Sequence, residues 1–266
     1  MTQPEAPARA EFRILNVLRD SLAVLKRRPG FYLGVAAIPS VSSSFFVIYF
    51  SPLDPLTNGF VATITWAHVL SFLLTIFVSL AWAAIAYVAY WDLRGVTITA
   101  SNALRRTSER LVVILLIWLP LYCILAPGST LFRSITADRF PLVWAMGYEF
   151  LNWVLGVVLA VAIPPCIVER RLAFRSLSRG WELTRDHRMA VLALWFIVFM
   201  AFKILWAIFM MIVNAGLLGT ASLWIGLIAL SVLSGSFQGI LGATLYSNLS
   251  AAKNPSDTRE IISVFD

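Results

Sequence analysis

Glu169-Arg-Arg-Leu-Ala-Phe-Arg-Ser-Leu-Ser-Arg-Gly-Trp-Glu-Leu-Thr-Arg-Asp-His-Arg188 is the most polar long segment of an otherwise apolar chain. Set out at about 100° per residue it forms an amphipathic helix. Ala173, Phe174, Leu177, Trp181 and Thr184 share one face, while Arg171, Arg175, Ser178, Arg179, Glu182, Arg185 and Asp186 share the other. On either side lie apolar runs, 142–168 and 189–213. Each exceeds the ~20 residues that a helix needs to cross a hydrocarbon core of ~30 Å. A basic helix between two such runs decides the fold class: an all-α, polytopic membrane protein.

Composition agrees. Hydrophobic residues make up 59% of the 266 and charged residues only 13%, with a mean hydropathy of +0.81. Soluble domains carry roughly 45–50% apolar and about 25% charged residues. The net charge of +7 does not point to nucleic acid, because the basic residues sit in short intervals between apolar runs, where the positive-inside rule accounts for them. Cys123 and Cys166 lie in apolar runs and read as small buried hydrophobes, not as a disulfide or a metal pair.

Working outward gives six spans, at about 31–50, 60–91, 111–131, 142–168, 189–213 and 222–249. Residues 1–10 are Pro/Ala-rich and read as disordered; 11–249 is one membrane domain, and 250–266 is a polar tail. The N-terminus has no cleavable-signal pattern, since its first apolar run begins only at Phe31. A first amphipathic helix covers 12–28, with Ile14, Leu15, Leu18, Leu22 and Leu25 on its apolar face, and Thr99 or Ser101 can cap a second in the interval 92–110.

Charge fixes the orientation. Of the 21 basic residues, 18 fall in the N-terminal segment, the two polar intervals and the tail, and only Arg133 and Arg139 fall in loops on the opposite side. Both termini and all three short helices are therefore expected on the cytoplasmic side of a bacterial inner membrane. The order of basic helix, span out, turn and span back occurs three times, which predicts a three-fold repeat of about 80 residues. Each short helix is expected to lie at the interface, with its apolar face in the acyl boundary and its arginines among lipid phosphates.

Ile163-Pro-Pro-Cys-Ile-Val-Glu169 followed by Ser176-Leu-Ser-Arg-Gly-Trp-Glu-Leu-Thr-Arg185 resembles a bacterial six-span integral membrane family related to the membrane domain attached to some glycerophosphoryl diester phosphodiesterases. That pattern has a proline near the end of span four, an acidic residue just after it, and an Ala-Leu-x-Arg-Ser-x-x-Leu helix before span five. The resemblance covers most of the chain through its span pattern. Two positions depart from it: Ser176-Leu177 replaces Ala-Leu, and Gly180 stands where a small polar residue belongs. The resemblance implies a membrane domain separate from any catalytic barrel, and six spans leave no room here for one.

Candidate chemistry is sparse. The chain has two histidines, His68 in a span and His187 at the end of a basic helix, and no HExxH, P-loop or GxSxG motif. No catalytic residue, metal site or cofactor is expected. Ionisable residues inside spans cost roughly 2.5–3.5 kcal/mol on insertion scales, so Lys203 and Glu149 stand out. Lys203 lies roughly 21 Å from the inner start of span five, and Glu149 about 10 Å from the outer start of span four. These depths nearly coincide. They allow an ion pair with His68 and Asn152 as neighbours, against the plainer reading in which Lys203 snorkels and Glu149 sits among headgroups. Arg171, Arg175, Arg179 and Arg185 are the expected binders of anionic phospholipid headgroups, with topogenic charge as the plainer reading. Glu169 and Glu182 read as intrahelical partners of those arginines. Gly235-x-x-x-Gly239 is expected to serve close packing within the bundle.

The expected function is non-enzymatic, in membrane, envelope or lipid homeostasis, with membrane lipids as partners and no nucleic acid. The competing class is a small transporter or lipid translocator using Glu149, Lys203, His68, Asn152, Asn214 and Gln238. One continuous polar cavity joining those residues would favour transport.

Overall fold

Proline and glycine set how these helices meet. In the computed structural model, which describes residues 13–50, 60–118, 141–216 and 219–253, every element is a helix. They are α1 (Ile14–Arg27), α2 (Pro29–Phe50), α3 (Phe60–Leu93), α4 (Ala100–Ser108), α5 over 111–118, α6 (Pro141–Val168), α7 (Ala173–Thr184), α8 (Arg188–Asn214) and α9 (Thr220–Lys253). Three stretches among the described residues are long and apolar enough to cross a membrane: Ile76–Leu93 in α3, Arg188–Asn214 and Ser222–Lys253. The first ten residues, most of the tail and the outer part of the expected third span lie outside the described residues.

α3, α6 and α9 form the centre, with α2 laid against α3 and α9. Apolar burial does not by itself hold helices together in lipid, so close backbone approach has to do it. α9 supplies that approach. A Cβ on Gly239 would stand 2.6 Å from Ile85 of α3, and one on Gly242 would stand 3.1 Å from the Ala160 carbonyl oxygen of α6. Gly239 and Gly242 thus pack inside the bundle, whereas Gly235, the other half of the expected pair, has only Ala36 Cβ at 3.9 Å from an added Cβ.

Pro164 and Pro165 do not close α6; the helix runs through them to Val168. Lacking N–H groups, they deprive the carbonyls of Ala160 and Val161 of their i+4 donors. The two neighbouring helices place glycines against those same carbonyls. Gly242 of α9 meets Ala160, and Gly180 of α7 meets Val161, whose oxygen would lie 2.9 Å from an added Cβ. Cα–H groups approaching freed carbonyls contribute about 0.5–1 kcal/mol each.

The segment 169–188 is not one helix. Glu169 N–H donates to the Pro165 carbonyl at 3.1 Å, and Arg170 takes φ 53°, which breaks α6 from α7. α7 begins only at Ala173 and ends at Thr184, and α8 starts at Arg188.

The three short helices pack by a shared rule. α1 lies on α9, α4 on α3 and α7 on α6. Each buries small or β-branched residues four apart: Val17 and Ser21, Ala103 and Thr107, Ser176 and Gly180. Ser21 Oγ and Thr244 Oγ1 share a 2.7 Å hydrogen bond across the first of these contacts. Several large apolar residues point away, since Leu15, Leu22, Leu104, Phe174 and Trp181 are exposed, while Leu183 is buried and Leu18, Leu25 and Leu177 pack against the core.

Candidate functional site

Two carboxylates end two central helices, and each is enclosed by donors. Asp92, at the end of α3, is buried with 3% of its side chain exposed. The Tyr32 hydroxyl of α2 donates to its Oδ2 at 2.6 Å, and the Arg28 guanidinium lies 3.6 Å from Oδ1. Arg27 donates to the Asp92 carbonyl at 2.5 Å. The α1–α2 corner is thereby tied to the end of α3.

Glu169, just after α6, repeats the arrangement. Tyr246 of α9 donates to Oε1 at 2.5 Å, Arg179 Nε lies 3.4 Å from the same oxygen, and Arg171 pairs with Oε2. This corrects the expectation that Glu169 is an intrahelical partner. It stands outside any helix and binds across three segments, because the left-handed turn at Arg170 points it back under α9. Glu182 offers its backbone carbonyl to Lys253 Nζ at 2.6 Å, fastening the end of α9 to α7.

The four arginines expected to face lipid headgroups therefore divide. Arg179, with 12% of its side chain exposed, and Arg171 turn onto Glu169, whereas Arg175 and Arg185 are exposed. Nothing in the sequence separated these pairs, since all four share one helical sector.

Of the polar residues expected within spans, Lys203 and Gln238 come together. They line a cavity of about 360 Å³ among α2, α3, α8 and α9, together with Ser40, Ser231 and Ser234. Gln238 Nε2 donates to Ser234 Oγ at 2.9 Å, and Lys203 Nζ lies 5.4 Å from the centre of the Phe199 ring. Asn214 sits apart, exposed at the end of α8. The side chains of His68, Glu149 and Asn152 lie outside the described ones, and with them the expected Glu149–Lys203 pair.

Sequence reasoning missed Tyr32, Asp92, Tyr246 and Arg188. An acid at the last position or just past the end of a returning apolar run, at Asp92 and again at Glu169, was the available signal. Among the described residues no three His, Cys, Asp or Glu side chains gather as a metal ion would require. In comparisons with known proteins the chain matches no family model, no curated protein and no solved structure.

Proposed function

We propose that this chain is a non-enzymatic, six-span protein of a bacterial cytoplasmic membrane, with both termini inside, that contacts anionic phospholipid through three basic interfacial helices and serves membrane or lipid homeostasis. One observation carries the reading: α1, α4 and α7 bury small residues against the bundle and leave part of their large apolar side chains, Leu15, Leu22, Leu104, Phe174 and Trp181, outward, while Leu183 and Val24 stay in the core. Phe174 is 87% exposed and Trp181 65%, on the same short helix as the exposed Arg175 and just before the exposed Arg185 at its end. Outward aromatics beside outward arginines suit the acyl–headgroup boundary, where rings enter lipid and guanidinium groups meet phosphate. The same burial rule in all three helices supports a three-unit repeat. So does the packing order: α4 and α7 lie on the long helix that precedes each, and α1 closes the ring on α9.

The test is the lipid content of protein purified in mild detergent from a mixed anionic and zwitterionic membrane. Arg175→Gln/Arg185→Gln is expected to retain less anionic lipid than the wild type and an unchanged amount of zwitterionic lipid. Equal anionic retention in both proteins would leave these arginines as orientation signals and overturn the reading.

A second reading, transport, is favoured by the cavity that joins Lys203 and Gln238. A lysine and a glutamine in one cavity between four membrane helices provide both charge and hydrogen-bonding capacity at a depth where lipid provides neither.

A further inference from the structure

α8 is the most loosely held of the three described stretches that can cross a membrane: 6% of it is buried, against 61% of the α3 stretch. It meets α6 where Trp195 seats against Gly156. Between that contact and α7 the helices part, leaving a groove of about 590 Å³, within the ~300–1,000 Å³ range of small-molecule sites. Val154, Val157, Val158, Val161 and Leu192 make its walls, and Arg188 and Trp181 stand beside them.

Like Arg94 on Tyr90, Arg188 combines a stacked guanidinium with an unmet buried donor, and of the two it is Arg188 that lines this groove. Its guanidinium carbon lies 3.8 Å from the centre of the Trp181 ring, and its Nε is buried with no hydrogen-bond partner among the described residues. A stacked, always-charged guanidinium with an unmet donor is a site waiting for an anion. The groove beside it is apolar and needs a hydrocarbon tenant. Free phosphate would satisfy Arg188 and leave the valines wet, and an apolar peptide would cover the valines and offer Nε a carbonyl but bring no anionic charge to the guanidinium. A phospholipid has both parts in one molecule.

We infer that the α6–α7–α8 groove holds one acyl chain of an anionic phospholipid whose phosphate is bound by Arg188. The inference rests on the proposed lipid-contacting role but names a separate, saturable site. The tightly bound lipid sits at Arg188, three residues beyond the surface arginine Arg185, and α7 forms one wall of its seat.

The experiment is native mass spectrometry of the full chain in detergent, with phosphatidylglycerol and phosphatidylcholine of identical chains as probes. The wild type is expected to keep one phosphatidylglycerol after surface lipid has been stripped. Arg188→Gln is expected to lower the preference for phosphatidylglycerol about tenfold, the size of one charge-assisted hydrogen bond. Val158→Trp and Leu192→Trp, which fill the groove from opposite walls, are expected to lose both lipids while eluting as folded protein. Arg175→Gln/Arg185→Gln is expected to keep the tight lipid. Wild-type retention in both tryptophan variants, or release of the lipid by millimolar inorganic phosphate, would overturn the groove. If the groove variants behave as wild type and the Arg175/Arg185 variant still loses anionic lipid, the groove falls and the broader reading stands. If none of the variants differs from wild type, both fall.

Discussion

Tyr246 and Glu169, 77 positions apart in sequence, meet through a 2.5 Å hydrogen bond from phenol to carboxylate. The pair links α9 to the turn between α6 and α7, so it connects the core to the basic helix that the functional reading depends on.

Tyr246→Phe removes the donor and leaves a carboxylate, 15% exposed, with its arginines alone. Hydrogen bonds to charged groups contribute about 1.5–3 kcal/mol, so a loss of that size is expected in reversible unfolding in mixed micelles. Glu169→Ala should reduce the cost of Tyr246→Phe, because either change removes the same interaction. Additive costs would mean that the bond does not form in solution.

The Asp92 cluster gives a parallel expectation with a larger effect. Asp92 is more deeply buried than Glu169, and its loss strands Tyr32 and takes the counter-charge from Arg28, which keeps its 2.8 Å hydrogen bond to the Ile98 carbonyl. Asp92→Ala is expected to cost about 3–5 kcal/mol, the range for removing one partner of a buried charged pair. Tyr32→Phe should cost about 1–3 kcal/mol. Limited trypsin proteolysis provides a second reading, since release of the α1–α2 corner should expose the bonds after Lys26 and Arg27, the Arg28–Pro29 bond being resistant. A wild-type digestion pattern for Asp92→Ala would show that the corner is held by other contacts.

The glycines facing α6 make a third case. Gly180→Ala would press a methyl group to within 2.8 Å of Val161 Cγ1 and 2.9 Å of its carbonyl oxygen, and overpacking of this kind costs about 1–3 kcal/mol. Gly34, in α2, has nothing within 4 Å of an added Cβ. Gly34→Ala should be neutral or stabilising by up to about 1 kcal/mol, from helix propensity alone. Equal effects of the two substitutions in thermal unfolding would remove the claim that α7 is seated on the carbonyl freed by Pro165.

Much of the helical plan was legible because lipid demands long apolar runs: five of the six expected runs fall on helices α2, α3, α6, α8 and α9, to within about two residues at most ends, and among the described residues three of these helices hold stretches long and apolar enough to cross a membrane. The start of α7 was misplaced because charge alternation continues through Glu169–Leu172, and periodicity cannot see the positive φ at Arg170 that ends the preceding helix. The small-residue faces escaped notice for a related reason. Ser21, Thr107, Ser176 and Gly180 register as weakly polar in a hydropathy pattern, yet they are the residues that bring backbones together. The division of the arginines was out of reach, since it depends on Glu169 and Tyr246, which are distant in sequence and joined only by the fold.

The Lys203 cavity decides between the two functional classes. If it holds water, a cysteine on its wall will react with small hydrophilic thiol reagents, and one on the outer face of the same helix will not. Ser234 lines the cavity, while Leu233 is exposed away from it at 36%. With Cys123 and Cys166 replaced by alanine, Ser234→Cys is expected to react at least about tenfold faster than Leu233→Cys, because thiolate, the reactive form, needs a hydrated surrounding. An anionic sulfonate reagent should outpace a cationic one of the same size, and Lys203→Met should abolish that preference, since the ammonium group is the cavity's one positive charge among its described lining residues. Rapid, charge-selective labelling would move the balance toward transport through α2, α3, α8 and α9. Equal and slow labelling at both positions would mark the cavity as dry, leave Lys203 a structural group, and confine the chain's lipid chemistry to α7 and the groove beside it.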